Sequence, residues 1–309
     1  MIRKGTQVTI SDSLKNSTTL QGISWMILTT FLFVAMNGIV RYLGGALPAA
    51  ESAFLRYFLG TLIILPMVIK NWPGYVSRKD TGLFLLRGLF HGIGVALWFY
   101  AMAHIPMAEV TAIGYVSPIF ITIGAALFLG ERLQLPRILG VLCGILGTLI
   151  ILRPGFQDIN LGQIAQLCAA PLFAASFVIA KKLTETQSST IIVGMLSVGC
   201  TITLIPATII QWQTPTLEQF LWLALAAVVA TLGHYTMTRA LQAAPITLTQ
   251  PLNFLQLIWA TILGILLFGD PLDPFVLIGG AVIIGSATYI SHRELRRSRL
   301  ERERRIADI

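Results

Sequence analysis

A chain of 309 residues could hold two soluble domains by length alone, but 55% of it is hydrophobic, only 12% is charged and the mean hydropathy is +0.77. Soluble domains carry about 25% charged residues, so this chain has too little polar surface to face water on all sides. The net charge of +8 does not point to nucleic acid, because the basic residues stand at segment ends and in a terminal tail rather than in one patch.

Residues 1–19 are polar, carry Arg3, Lys4 and Lys15, and read as a flexible cytoplasmic segment. Apolar runs of about 20 residues have the length of a bilayer-spanning helix, and such runs fill most of the rest. They fall at roughly 20–42, 50–70, 81–103, 106–129, 136–152, 161–182, 189–211, 219–241, 245–268 and 274–291. The first is too long for the apolar core of a cleaved signal peptide, so it is expected to stay as a span. Turn chemistry separates the runs: Gly44-Gly45 with Pro48, Asn71-Trp72-Pro73-Gly74, Arg153-Pro154-Gly155, Thr214-Pro215 and Asp273-Pro274. The split at His104-Ile105-Pro106 is required because one helix through it would be too long for any bilayer.

Loop charges give the topology. With the N-terminus inside, the inside segments hold Arg3, Lys4, Lys15, Lys70, Arg78, Lys79, Arg132, Arg137, Lys181, Lys182, Arg239 and the tail arginines. The outside segments hold only Arg41 and Arg153, and Arg56 and Arg87 lie within spans. Lys and Arg accumulate on the cytoplasmic side, so ten spans with both termini cytoplasmic fit, and nine or eleven would scramble the bias. The tail at 292–309 alternates Arg293, Arg296, Arg297, Arg299, Arg302, Arg304 and Arg305 with Glu294, Glu301 and Glu303. It reads as a cytoplasmic helix that touches anionic lipid, the alternative being a tail that binds RNA or a protein partner.

The chain repeats itself. At a shift of 139, Pro106 falls on Pro245, Gly130-Glu131 on Gly269-Asp270, Leu133 on Leu272 and Gly140 on Gly279. At 140, Gly22 falls on Gly162, Leu32-Phe33 on Leu172-Phe173, Arg41 on Lys181 and Pro66 on Pro206. Two halves follow, 20–152 and 161–291, and five spans per half would turn the second half over. The fold class is therefore an all-α membrane protein of ten transmembrane helices in two inverted five-helix repeats. Inverted repeats are a mark of alternating-access carriers, with the substrate near the midplane.

These units, with Phe54-Leu55-Arg56-Tyr57 and Leu86-Arg87-Gly88, resemble the drug/metabolite transporter superfamily, EamA type; Asp270 replaces the more usual Glu. The resemblance implies a central cavity lined by the first four helices of each half, with the fifth packed outside. Gly140, Gly144 and Gly147 on the fifth span, and Gly279, Gly280 and Gly285 on the tenth, let helices approach closely. Packing within one chain or across a homodimer seam is the expected role of these residues, with a ligand role as the alternative.

Few polar groups lie inside the spans, so each can be weighed. Arg87, His91 and Trp98 share one face of the third span. An arginine there is costly unless it meets water, substrate, a counter-charge or helix-end carbonyls, so Arg87 is either a cationic contact for a carboxylate or phosphate or a structural group. Thr249, Asn253 and Gln256 form a polar stripe on the ninth span, flanked by Gln250 and Pro251. Their repeat-mates Val110, Gly114 and Ser117 are mostly small, so one wall offers hydrogen bonds and the other room, with helix–helix bonding as the alternative. Tyr115 and Trp98 could stack on a ligand or simply pack. Glu109 is expected to pair with Arg56 near Glu51, as an ion pair or part of an outer gate, with a proton-carrying role as the alternative. His234 and Thr238 share a face, Asn37 is undecided, and Cys143, Cys168 and Cys200 read as small packing residues.

No phosphate-binding Gly-Lys loop, metal-binding cluster or cofactor motif is present, so no cofactor is expected. The leading reading is a carrier in the bacterial inner membrane that moves a small polar metabolite, amino-acid-like or bearing an anionic group. Glu51-Ser52-Ala53-Phe54-Leu55-Arg56, Leu86-Arg87-Gly88-Leu89 and Trp212-Gln213-Thr214-Pro215 resemble the S-adenosylmethionine uptake carriers, an alternative within the superfamily. An intramembrane lipid-modifying enzyme is the alternative of another class, resting only on His91 with Ser117.

Overall fold

The computed structural model describes residues 7–114, 116–117, 120, 135–153, 159–243, 252–253, 255–286, 288–289 and 292. Those residues are helical apart from turns and connections. The helices are α1 (Gln7–Leu43), α2 (Ala49–Lys70), α3 (Arg78–His104), α4 (Met107–Gly114), α5 (Leu135–Leu152), α6 (Leu161–Leu183), α7 (Ser189–Gln211), α8 (Leu217–Ala243), α9 (Leu255–Phe268) and α10 (Pro274–Ser286). Six of them (α1 from Leu20, α2, α3, α6, α7 and α8) are long and apolar enough to cross a membrane.

Local chemistry sets the ends. Ile105 is extended, with φ −133° and ψ 159°, as expected for a residue whose α conformation is blocked by the following proline. That forced break separates α3 from α4, where the sequence required one. Asn160 and Gln163 form a reciprocal capping box at the head of α6, with Asn160 Oδ1 accepting from Gly162 N–H at 2.7 Å. Thr216 and Gln219 cap α8 in the same reciprocal way. At the foot of α9, Gly269 takes φ +64° and the Asp270 N–H returns to the Gly264 carbonyl at 3.1 Å, a helix stop that favours glycine. One expectation is corrected: the segment before Leu20 is helical from Gln7. No Gly or Pro lies between Gly5 and Gly22, so nothing in the chain stops α1 from propagating toward the N-terminus.

The two halves interleave rather than lie side by side. α1 packs on α8, α3 on α6, and α2 on α7, while α4 meets both α6 and α9. The contacts are reciprocal in detail. A Cβ added to Gly94 on α3 would meet Phe173 and Leu172 of α6, and one added to Gly233 on α8 would meet Phe33 and Leu32 of α1. Gly94 and Gly233 correspond at a shift of 139, and Leu32-Phe33 and Leu172-Phe173 at 140. α3 also crosses α7 at Gly88, where an added Cβ would lie 2.6 Å from the Cα of Gly199. Backbone contact that close needs glycine on both sides. On α5 and α10, Gly147 faces the Gly279 carbonyl and Ile283, so these two glycines serve packing within the chain.

The end of the bundle where α3 passes into α4 is tied by polar groups. Arg41 donates to the Met102 and Ile105 carbonyls, both at 2.9 Å, and pairs with Asp270 at 3.1 Å. The other oxygen of Asp270 accepts the Met107 N–H at 3.0 Å, so one acidic group joins the foot of α9 to the head of α4. Arg153 pairs with Asp273 and lies over the Phe275 ring. Arg41 is thus a clamp, rather than the freely snorkelling end residue its position suggests.

Candidate functional site

Between α1, α2, α3, α4, α6, α8 and the start of α9 lies a cavity of about 300 Å³, at the lower limit of volumes usual for small-molecule sites. Among the described residues, none of α5 or α10 is in its lining, in keeping with their expected peripheral role. α7 contributes nothing either, where the resemblance implied four helices from each half. The Gly88–Gly199 contact explains the difference, because it sets α7 directly behind α3.

The lining includes Arg87, His91 and Trp98 of α3, Gly114 and Ser117, and Asn253 and Gln256. The structure thus brings seven of the eight expected site residues to one space; Tyr115, the eighth, lies outside the described residues, as do Pro118, Thr249, Gln250 and Pro251. Asn37 and His234 also line it. Thr238 is not among the lining residues, and its hydroxyl donates to the His234 carbonyl at 2.8 Å.

Two arginines define the electrostatics. Arg56 is 4% exposed and Arg87 2% exposed. Arg87 donates one bond, from Nη1 to the Ile192 carbonyl at 2.8 Å, and its Nε is buried with no partner. Arg56 lies 3.9 Å above the Tyr57 ring, and its Nε is likewise unpartnered. Among the described lining residues there is no Asp or Glu. The expected Arg56–Glu109 pair is therefore corrected. Glu109 accepts from the Gln163 side-chain amide, held by the α6 capping box, whereas Arg56 turns inward onto Tyr57. Glu51 is fully buried and accepts the Gln213 N–H at 2.9 Å. It joins α2 to the α7–α8 connection and lies outside the cavity.

Around the guanidinium groups stands an imidazole and aromatic cluster. His91 Nδ1 is 3.0 Å from Ser176 Oγ, and its ring meets Phe173, His234 and Tyr57 edge-on at 5.0, 5.5 and 6.1 Å. Further along, Ser117 donates to the Ala170 carbonyl at 3.1 Å, and Gln256 donates weakly to Asn253 at 3.4 Å. Sequence reasoning passed over Tyr57, Gln166, Phe173 and Ser176. A signal for the two polar ones existed: Gln166 and Ser176 are isolated polar residues inside an otherwise apolar span.

Comparison with known proteins agrees with this architecture. The pattern described as "EamA-like transporter family" matches residues 20–153 and again 160–292. The chain is similar to a riboflavin transporter of Vibrio cholerae serotype O1, with 31% identity covering 92% of this chain and 97% of the relative. It is 28% identical to an S-adenosylmethionine uptake transporter of Rickettsia bellii, covering 88% and 94%. It is also 28% identical to the pseudopaline exporter CntI of Pseudomonas aeruginosa, covering 87% and 95%. With the family pattern spanning both halves and a cavity between them, the chain belongs to the EamA-like transporter family of the drug/metabolite transporter superfamily, a transporter rather than an enzyme.

Proposed function

We propose that this protein is an inner-membrane carrier that moves a small polar metabolite bearing an anionic group by alternating access. One observation carries the substrate class: Arg56 and Arg87 are buried on the cavity wall with no carboxylate beside them among the described residues. An arginine buried in a span without a counter-charge is expensive, and a carboxylate or phosphate on the substrate offsets that cost with charge-assisted hydrogen bonds. Asn253, Gln256 and Ser117 supply hydrogen bonds, and Gly114 leaves room. Amino-acid-like substrates fall within this class.

The carrier mechanism rests on the duplication. Ten spans, with the second half inverted and both termini cytoplasmic, give two similar halves whose exchange of conformations opens the cavity to either side. Reciprocal packing of Gly94 on Phe173 and Gly233 on Phe33 supports such an exchange. The relatives differ in cargo and in direction, uptake in one and export in another, so cargo is read from the cavity and not from them. An S-adenosylmethionine carrier is the second reading, supported by that relative and by the carboxylate on its cargo. The basic tail is proposed to rest on anionic lipid.

Proteoliposomes preloaded with a candidate metabolite test the reading. Saturable uptake of the labelled compound, accelerated by the same compound inside and lost in Arg87→Ala, is the expected result. Counterflow that persists at full rate in both Arg56→Ala and Arg87→Ala would remove the anion-binding role.

A further inference from the structure

Five residues that line this one cavity each carry a buried polar atom that lacks a partner: Arg56 Nε, Tyr57 Oη, Arg87 Nε, His234 Nδ1 and Gln166 Oε1. They are not mixed along its length. The Arg56 guanidinium stacks on Tyr57, Tyr57 faces His91, His91 faces His234 and Ser176, and Arg87 stands about one helical turn before His91 on α3, so four of the five belong to one cluster. Gln166 is elsewhere. It precedes Ser176 by ten residues on α6, about 15 Å of helical rise. It is 2% exposed and lies beside Gly114, where an added Cβ would come within 3.1 Å of its amide nitrogen. α3 gives the same measure independently, since Trp98 follows Arg87 by eleven residues, or about 16 Å.

The chemistry differs between these ends. Guanidinium nitrogens only donate, so the first end asks for an acceptor with negative charge. The Gln166 carbonyl oxygen only accepts, so the second end asks for an N–H or O–H donor. Trp98 lines the cavity on the α3 wall at that end and offers a face on which a planar ring can stack. The geometry points to an elongated two-ended ligand, with a carboxylate or phosphate at Arg87 and a planar ring bearing an N–H donor at Gln166 and Trp98. Gln166 is then a specificity-determining residue. An α-amino acid cannot serve both ends by its ammonium and carboxylate, which share one carbon. This inference rests on the anion-binding reading of the cavity and adds the second end.

Mononucleotides with an exocyclic amine have this layout, and their halves are available as controls. Thermal stability of the purified full-length protein is measured with AMP, CMP, adenosine, cytidine and ribose 5-phosphate. At least one nucleotide should stabilise the protein more than its nucleoside and more than ribose 5-phosphate do, because binding to the native state raises the melting temperature. Gln166→Met should weaken that nucleotide at least ten-fold and leave ribose 5-phosphate unchanged, and Gln166→Glu, which keeps an acceptor, should restore part of the affinity. Should Gln166→Met not fold, Trp98→Leu gives the same contrast between nucleotide and ribose 5-phosphate. The inference is overturned if neither nucleotide exceeds its fragments, or if the variants weaken nucleotide and ribose 5-phosphate equally. In either case, stabilisation by ribose 5-phosphate that Arg87→Ala abolishes would leave the anion-binding reading intact. No response to any anionic probe would count against both.

Discussion

Arg41, Arg153, Arg56 and Arg87 divide between two regions that use the same side chain in opposite ways. At the α3–α4 end, Arg41 is held by Asp270 and two carbonyls, and Arg153 by Asp273 and the Phe275 ring. In the cavity, Arg56 and Arg87 are more deeply buried yet have no acidic neighbour among the described residues. Removing one partner of a buried ion pair leaves the other charge stranded and costs stability. Removing a cationic group that has no acid beside it strands no opposite charge within the protein. The comparison therefore separates arginines that hold the bundle together from arginines kept for something that enters it.

Substitutions can break or sharpen this division. The largest effect is expected from Arg87→Ala, with flux in proteoliposomes falling by more than ten-fold while Arg87→Lys, which keeps the charge but not the fork geometry, retains a fraction. Near-normal flux in Arg87→Ala would place Arg87 with the structural arginines, held there by the Ile192 carbonyl. Asp270→Ala should instead lower the melting temperature by several degrees, since it strands Arg41 and the Met107 N–H together at a cost of about 2–4 kcal/mol. Ligand affinity measured below that temperature should hardly change. Asn253→Ala is expected to reduce apparent affinity a few-fold through loss of one neutral hydrogen bond, about 1 kcal/mol. Smallest is the effect of replacing Arg302, Arg304 and Arg305 with Gln, which should weaken association with anionic lipid and leave flux in neutral vesicles unchanged.

How much of this was legible in the sequence varies with the kind of signal. The α3–α4 break was legible because proline acts locally: Pro106 forces Ile105 to be extended whatever surrounds it. Convergence of Arg87, His91 and Trp98 was legible because helical phasing fixes which residues share a face. The partner of Glu109 was not, because Arg56 and Gln163 are both near in depth, and only the capping box at Asn160 decides which one faces it. The absence of α7 from the cavity was equally hidden. It depends on Gly88 meeting Gly199 across halves, and glycine in a span signals close approach without naming its partner. Gln166 was passed over for a related reason: a lone amide in a span reads equally as helix–helix bonding until the residue is found on a cavity wall with its oxygen buried and unpartnered.

The most direct test of the cavity arginines is a binding screen of the purified protein against matched metabolite pairs that differ only by a carboxylate or phosphate. It is run in parallel on the wild type and on the Arg56→Ala/Arg87→Ala double variant. The account predicts that every ligand stabilising the wild type carries the anionic group, that its neutral counterpart binds at least ten-fold more weakly, and that the preference vanishes in the double variant while the melting temperature of the unliganded protein stays close to that of the wild type. A neutral or purely cationic ligand that binds both proteins equally well and competes for the cavity would contradict it.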